Sequence, residues 1–222
     1  MLDYVLDRSA NSWLAIRRHE PEEPMLLTEP RPEQKPLVSV VLLAYNHLDY
    51  TKQCYESLIA HTDGVEYELI TVDNGSTDGT AEYFESLPHK KKLRFEENIG
   101  VDRAINRGLQ LGEGTYLLNL SNDIVVTDHW LENLVAIMES DERVAMAVPV
   151  CGYSPSRQQI CTCLYRAEAL ADAGWLDEQV ALDTCDSDTI SVRLRRMGWR
   201  LVLAGETSVH PLGSTPLGST PV

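Results

Sequence analysis

Residues 37–44 read LVSVVLLA, a Val- and Leu-rich run with a single polar residue, Ser39, inside it. So short an apolar run, without polar alternation, suits a strand covered on both faces. Downstream, DYTKQCYESLIA (49–60) has helical periodicity, with Asp49 as its N-cap. YELITVD (67–73) is a second strand, TAEYFESL (80–87) a helix, and KLRFEE (92–97) a more exposed third strand. A helix over 101–111 and a fourth strand over 115–120 (TYLLNL) follow. Strand and helix alternating at this spacing imply right-handed crossovers and a mainly parallel, Rossmann-like sheet flanked by helices. The fold class is α/β.

The second half is less regular. HWLENLVAIMES (129–140), RAEALADAG (166–174) and SDTISVRLRRMG (187–198) read as helices, the last two ending at Gly174 and Gly198. VAMAVPV (144–150), ICTCLY (160–165) and WRLVLA (199–204) read as strands. Arg193, Arg195 and Arg196 are expected on a solvated helix face, with one of them available to a diphosphate or an anionic acceptor. Four parts are expected: 1–35, an N-terminal helix and linker; 36–126, a nucleotide-binding half; 127–211, a smaller acceptor-side half; and 212–222, a low-complexity tail that repeats LGSTP. In the first part Leu2, Val5, Leu6, Trp13 and Ile16 share one helical face, and His19–Pro36 is a Pro/Glu-rich extended linker. That helix would pack on the domain or on a partner protein; weak association with a membrane surface is the second reading.

Composition narrows the function. The chain has 222 residues, 43 % apolar, with 34 Asp and Glu against 19 Lys and Arg and a net charge of −15. Such a balance argues against a nucleic acid as partner, because phosphate backbones demand clustered cations. An anionic ligand would need local positive charge from a basic side chain or a metal ion. No apolar stretch approaches the roughly 20 residues needed to cross a bilayer, and acids stand at the start where a secretory signal carries lysines. The five cysteines (Cys54, Cys151, Cys161, Cys163, Cys185) fit neither a disulfide framework nor a zinc spacing. A cytoplasmic protein is expected, either free or at the inner face of the membrane.

In open α/β sheets ligands bind beyond the carboxyl ends of the strands. Those ends carry Ala44-Tyr45-Asn46, then Asp73-Asn74-Gly75-Ser76-Thr77-Asp78-Gly79, then Asn98-Ile99-Gly100, then Ser121-Asn122-Asp123. One ring, carboxylates, amides and glycines along one edge suit a nucleoside diphosphate held through a metal. Tyr45 can stack on a base, and Asp73 can accept an imide N–H or a ribose hydroxyl. Asp123 can ligate Mg²⁺ or Mn²⁺. Arg103 can reach the phosphate or the base. Each motif also has a plain reading: 73–75 as a turn, 98–100 as a loop and helix cap. Their conjunction is harder to explain that way.

Val38–Asn46 (VSVVLLAYN), Leu69–Thr80 (LITVDNGSTDGT), Asn98–Gly108 (NIGVDRAINRG) and Leu117–Val126 (LLNLSNDIVV) closely resemble successive motifs of the family 2 glycosyltransferases. Gly174–Glu178 (GWLDE) and Leu194–Leu203 (LRRMGWRLVL) resemble later segments of that family, so the resemblance covers about Leu37 to His210. It implies the GT-A fold and inverting transfer of a sugar from a nucleotide sugar, UDP-sugars favoured, to a hydroxyl of a glycan, lipid carrier or protein. Cell-surface polysaccharide synthesis is the implied setting. Ala44, Tyr45, Asn46, Asp73, Asn98, Gly100, Arg103 and Asn122 would then line the nucleotide site. Asp123, last in an Asp-x-Asp metal motif, would hold Mn²⁺ or Mg²⁺, with His210 as a second metal or diphosphate contact, although a plain loop histidine fits His210 equally well. The first position of that motif is Ser121, a departure from the usual acid.

Inversion needs a carboxylate to take the acceptor proton. The family places it before the late arginine-bearing helix, where this chain has Asp183-Thr184-Cys185-Asp186-Ser187-Asp188. Neither Asp188, the first choice, nor Asp186, the second, falls in the family's frame without a one-residue shift, and Asp188 also reads as an N-cap. The alternative function is a non-catalytic GT-A-like binding or scaffold module. A nucleotidyltransferase and a nicotinamide dehydrogenase both lack their glycine-rich loop after the first strand.

Overall fold

A computed structural model describes residues 2–7, 12–17, 35–151, 162–178 and 187–212. Two compact units are formed, Met1–Gln34 and Lys35–Val222.

In the first unit β1 (Leu2–Asp7) and β2 (Ser12–Arg17) pair antiparallel, from Leu2 opposite Arg17 to Asp7 opposite Ser12. The expected amphipathic helix is not what these residues form, and the membrane or partner association drawn from it loses its basis. Two runs of six residues, separated by the polar stretch 8–11, also satisfy a period of two. Pairing across the ladder satisfies backbone groups that so short a helix would leave open.

The second unit opens with β3 (Val38–Ala44), α1 (Leu48–Ala60), β4 (Tyr67–Asp73), α2 (Thr80–Ser86), β5 (Lys91–Arg94), α3 (Val101–Leu109) and β6 (Tyr116–Ser121). After them come β7 (Ile124–Val125), α4 (Trp130–Ser140), β8 (Val144–Cys151), β9 (Thr162–Arg166), α5 (Ala167–Asp172), α6 (Ser187–Arg196) and β10 (Arg200–Pro211). They build one eight-stranded sheet of order β5-β4-β3-β6-β9-β8-β10-β7. β3 runs parallel to β4 and β6, and β4 parallel to β5. β9 is antiparallel to both β6 and β8.

β3 is buried along its whole length, as its sequence implies. Val38, Val40 and Leu42 face one layer of helices with Cys54 and Leu58 of α1, Phe84 of α2 and Trp130, Leu134 and Met138 of α4. Val41 and Leu43 face the other, with Ala104, Ile105 and Leu109 of α3, Leu170 of α5 and Ile190 and Leu194 of α6. This three-layer arrangement removes both faces of the central strand β3 from water. Trp130 is fully buried and its indole N–H donates to Thr62 Oγ1 at 2.9 Å. Gly108 lets α3 sit tight on the sheet: a Cβ there would stand 2.4 Å from Val41 Cγ1.

Two features depart from the sequence reading. The third strand stops at Arg94, where its register with Asp73 ends. The last strand runs on to Pro211, because its far end pairs antiparallel with the two-residue β7, His210 opposite Val125 and Pro211 opposite Ile124. Gly174 and Gly198 adopt φ of +84° and +89°, as expected of residues that close helices. Among the described cysteines Cys54 and Cys163 are buried and Cys151 is half-buried.

Candidate active site

The carboxyl ends of β3, β4 and β6 are laced together by short polar side chains. Asn46 and His47 both hold left-handed backbone, φ 58° and 60°. Two successive non-glycine residues there cost of order 1–3 kcal/mol each and persist only when their surroundings fix them. The fixing contacts are explicit: Asn46 Oδ1 accepts the Thr77 N–H at 2.9 Å, and Asn46 N–H donates to Ser76 Oγ at 2.8 Å. Asn122 Nδ2 donates to the Asn46 carbonyl and to Thr51 Oγ1, both at 2.9 Å. The Ala44 carbonyl accepts the Asn74 N–H at 2.9 Å.

The loop after β4 is the hub. Asp73 is 2 % exposed, and its Oδ1 accepts the Ser76 N–H at 2.9 Å. Its Oδ2 accepts no hydrogen bond among the described residues and lies 3.4 Å from Arg94 Nε. Asn74 Nδ2 donates to Asn98 Oδ1 at 3.0 Å and Asn74 Oδ1 accepts the Ile99 N–H at 3.0 Å, while Asn98 Oδ1 also accepts the Gly100 N–H at 2.9 Å. Gly75, φ +85°, lets this loop meet the 97–98 backbone, since a Cβ would stand 2.6 Å from the Glu97 carbonyl carbon. Asp78 Oδ2 accepts the Leu48 N–H at 2.9 Å, so the start of α1 is capped from thirty residues away rather than by Asp49. Burial would raise the Asp78 pKa, but hydrogen bonds from Thr80 and Leu48 outweigh it and hold the carboxyl below its ordinary value.

Of the nucleotide-site residues expected from sequence, Tyr45 is presented to solvent, 46 % exposed, and follows Ala44, the register partner of the buried Asp73. Ala44, Asn46, Asn98 and Asn122 direct hydrogen-bonding groups into the protein and shape the loops. Gly100, φ +94°, has open space where a Cβ would lie. Arg103 is half exposed, its Nε 3.4 Å from Glu178 Oε2. Beneath it Asn106, 1 % exposed, donates to the Leu176 carbonyl at 2.9 Å and to Glu178 Oε1 at 3.2 Å, and accepts the Leu176 N–H at 3.1 Å. The Gly174–Glu178 segment is thereby fastened to α3.

Asp123 follows β6, half-buried, its carbonyl accepting the Leu212 N–H at 2.6 Å. Burial, with the Asp123 charge adding to it, pushes the Cys54 thiol pKa far up. The β7–β10 pairing carries the exposed His210 to the same edge as Asp123, a proximity invisible in the sequence. Among the described residues no three His, Cys, Asp or Glu gather as a metal cage. Asp188 lies in the first turn of α6, and Asp186 lies outside the described residues. Arg193 does not belong to the solvated face: its guanidinium donates to the Ala173 and Trp175 carbonyls, the latter at 2.5 Å, and so closes the end of α5.

Sequence reasoning gave no individual role to Arg94, Asp78, Asn106 or Glu178. Arg94 could have been found only from the β4–β5 register, which sets it directly across from Asp73. Asn106 carried a signal in its place: an amide in the middle of an otherwise apolar helix face needs a buried partner.

Comparison with known proteins bears on the family and the fold. The family model described as glycosyl transferase family 2 matches residues 39–182. An uncharacterized glycosyltransferase of Haemophilus influenzae is 29 % identical over 116 residues, 50 % of this chain and 36 % of that protein. Glycosyltransferase GlyG of Streptococcus pneumoniae is 30 % identical over 115 residues, 50 % of this chain and 38 % of its own length. These matches therefore span little more than a third of the curated relatives. A mannosyltransferase from Pyrobaculum calidifontis, solved with GDP-Man and Mn²⁺, superposes with a TM-score of 0.69 at 18 % identity, covering 84 % of this chain and 60 % of that one. TarS of S. aureus, residues 1–349, solved with UDP, gives 0.65 at 18 % identity over 80 % and 60 %. The sheet with its flanking helices is the GT-A fold, and the chain belongs to glycosyl transferase family 2.

Proposed function

We propose that the chain transfers a glycosyl group from a nucleoside diphosphate sugar to an acceptor hydroxyl with inversion at the anomeric carbon. The observation that carries this reading is the edge where β3 and β4 end, where the exposed Tyr45 follows Ala44, the register partner of the buried Asp73. A ring to stack on and an acceptor at its side are what a nucleobase requires. The nucleotide ligands of the GT-A neighbours, GDP-Man and UDP, support the same donor class.

The donor set at the Asp123 edge fits a divalent cation. One carboxylate and His210 on the paired strand end are too few for a cage of protein ligands. They are enough for Mg²⁺ or Mn²⁺, which complete their shells with phosphate oxygens and water. Such an ion would neutralise charge on the leaving diphosphate, which an acidic chain needs. The neighbour solved with Mn²⁺ supports this. Arg103, steadied by Glu178, offers a second positive group toward the phosphates. Asp188, with Asp186 as the alternative, takes the proton from the acceptor hydroxyl as its oxygen attacks the anomeric carbon. A glycan, a lipid carrier or a protein supplies that hydroxyl. Among the described residues no helix is long and apolar enough to cross a membrane.

The test is calorimetric titration with UDP, GDP and dTDP, with and without Mn²⁺, on the wild type and on Asp123→Asn. Metal-dependent binding by the wild type, lost in the variant, is expected, together with turnover of the matching nucleotide sugar. Binding that ignores both Mn²⁺ and the substitution would overturn the metal assignment. Binding without turnover on any acceptor class would favour a non-catalytic module.

A further inference from the structure

We propose that helix α1 positions the Asp123 carboxylate for its cation through three small polar side chains on the buried face of the helix, Thr51, Cys54 and Ser57. The inference rests on the cation reading above and adds positioning residues to it, which act through Asp123 rather than on the substrate.

A helix that packs on a sheet normally covers it with an apolar stripe. The buried residues of α1 are Thr51, Cys54, Ser57 and Leu58, so all but Leu58 carry a polar atom or a thiol inward. The first three recur every third residue, along about 9 Å of helix axis at 1.5 Å per residue. A buried polar group costs free energy unless it is paired. All three find partners on one stretch of chain, residues 121–126. Thr51 Oγ1 accepts a hydrogen bond from Asn122 Nδ2 at 2.9 Å. The Cys54 thiol donates to the Ser121 carbonyl at 3.5 Å. Ser57 Oγ accepts the Val126 N–H at 3.2 Å, while its own hydrogen goes to the Cys54 carbonyl at 2.8 Å. Burial, and after it the Asp123 charge, keep the Cys54 thiol protonated and therefore a donor.

This stretch contains the turn between β6 and β7. Only Asn122 and Asp123 lie between Ser121, the last residue of β6, and Ile124, the first of β7. The contacts with α1 fall on both sides of Asp123. The turn is also held by the Leu43 carbonyl, which accepts the Asn122 N–H at 3.0 Å, and by the Leu212 N–H, which donates to the Asp123 carbonyl. None of these contacts uses the Asp123 carboxylate, so they fix the main chain that carries it. Because position 121 is a serine, residues 121–123 bring a single carboxylate to a cation. Affinity then depends on how well that one group is placed, which is the work of the groups behind a metal ligand.

The experiment is calorimetric titration of the full chain with UDP and GDP, each in Mn²⁺ and in EDTA, so that the ratio of the two affinities reads the contribution of the cation. Thr51→Val removes the hydroxyl at nearly constant shape, and Thr51→Ser keeps it. Cys54→Ala removes the thiol and carries the test should Thr51→Val fold poorly. Tyr116→Phe is the control, deleting the 2.6 Å hydrogen bond to Glu139 at the opposite end of β6. Thr51→Val and Cys54→Ala are expected to lower the ratio about tenfold, the lower end of what groups behind a metal ligand contribute, with affinity in EDTA unchanged. Thr51→Ser and Tyr116→Phe are expected to keep the wild-type ratio. A wild-type ratio in folded Thr51→Val and Cys54→Ala would overturn the inference. So would an equal loss in Tyr116→Phe, which would trace the effect to general destabilisation. Both results leave the nucleotide-sugar reading standing. A wild type that binds nucleotide equally well in Mn²⁺ and in EDTA would remove the cation reading and this inference with it.

Discussion

Asn106→Ala tests whether the 174–178 segment is held by one buried amide. Asn106 satisfies both the N–H and the carbonyl of Leu176, a residue 7 % exposed, and also reaches Glu178. Removing the amide leaves two enclosed main-chain groups without partners, each costing about 1–3 kcal/mol. The expected loss is about 2–4 kcal/mol, a large share of the 5–15 kcal/mol typical of a domain. With a urea slope of about 2–3 kcal/mol/M, the midpoint should fall by roughly 0.7–2 M. Asn106→Asp sharpens the argument. It keeps size and one acceptor, but turns a carboxylate toward the Leu176 carbonyl and Glu178 Oε1 with no hydrogen to offer. At neutral pH it should be at least as harmful as alanine. A midpoint shift below about 0.3 M for alanine would mean that water or local relaxation satisfies Leu176, and the fastening role would be wrong.

Two further outcomes are expected. Gly75→Ala should cost about 1–3 kcal/mol in thermal or urea unfolding and weaken nucleotide binding, because φ +85° and the 2.6 Å approach to the Glu97 backbone both forbid a Cβ; unchanged stability would contradict the loop–loop contact. His89, its Nε2 2.8 Å from Thr71 Oγ1, is held below its ordinary value of 6.5 by burial and by Lys92. A depressed folded value means that the unfolded chain binds the proton first, so this stabilisation is complete above 6.5 and lost as pH falls through the lowered value. Urea midpoints measured from pH 7.5 to 5 should decline less steeply in His89→Gln than in the wild type, and parallel declines would exclude His89 as a source.

The alternation of strand and helix from residue 37 to 120 was legible because apolar run length and helical period are local properties of the chain. The same is true of the strand-end motifs, since a turn needs its Asn, Asp and Gly at fixed offsets. The N-terminal residues misled for the converse reason: Leu2, Val5, Leu6, Trp13 and Ile16 satisfy a helical period, while the runs that contain them also pair as strands. Cap assignment failed at Asp49 because the accepting carboxylate, Asp78, arrives from another loop.

By itself the sequence determined the α/β class, the family and the set of side chains that reach the edge of the sheet, all of which rest on residues near one another in the chain. The tertiary structure decided which of them build the loops, engaging Asn46, Asn98 and Asn122 in hydrogen bonds that tie the loops together and leaving Tyr45 exposed. It also decided the pairings of Arg94 with Asp73, of Asn106 with Leu176, and of the His210 strand with the Asp123 edge. Those contacts depend on strand order and register across the sheet, which depend on how the whole core packs and not on any local pattern.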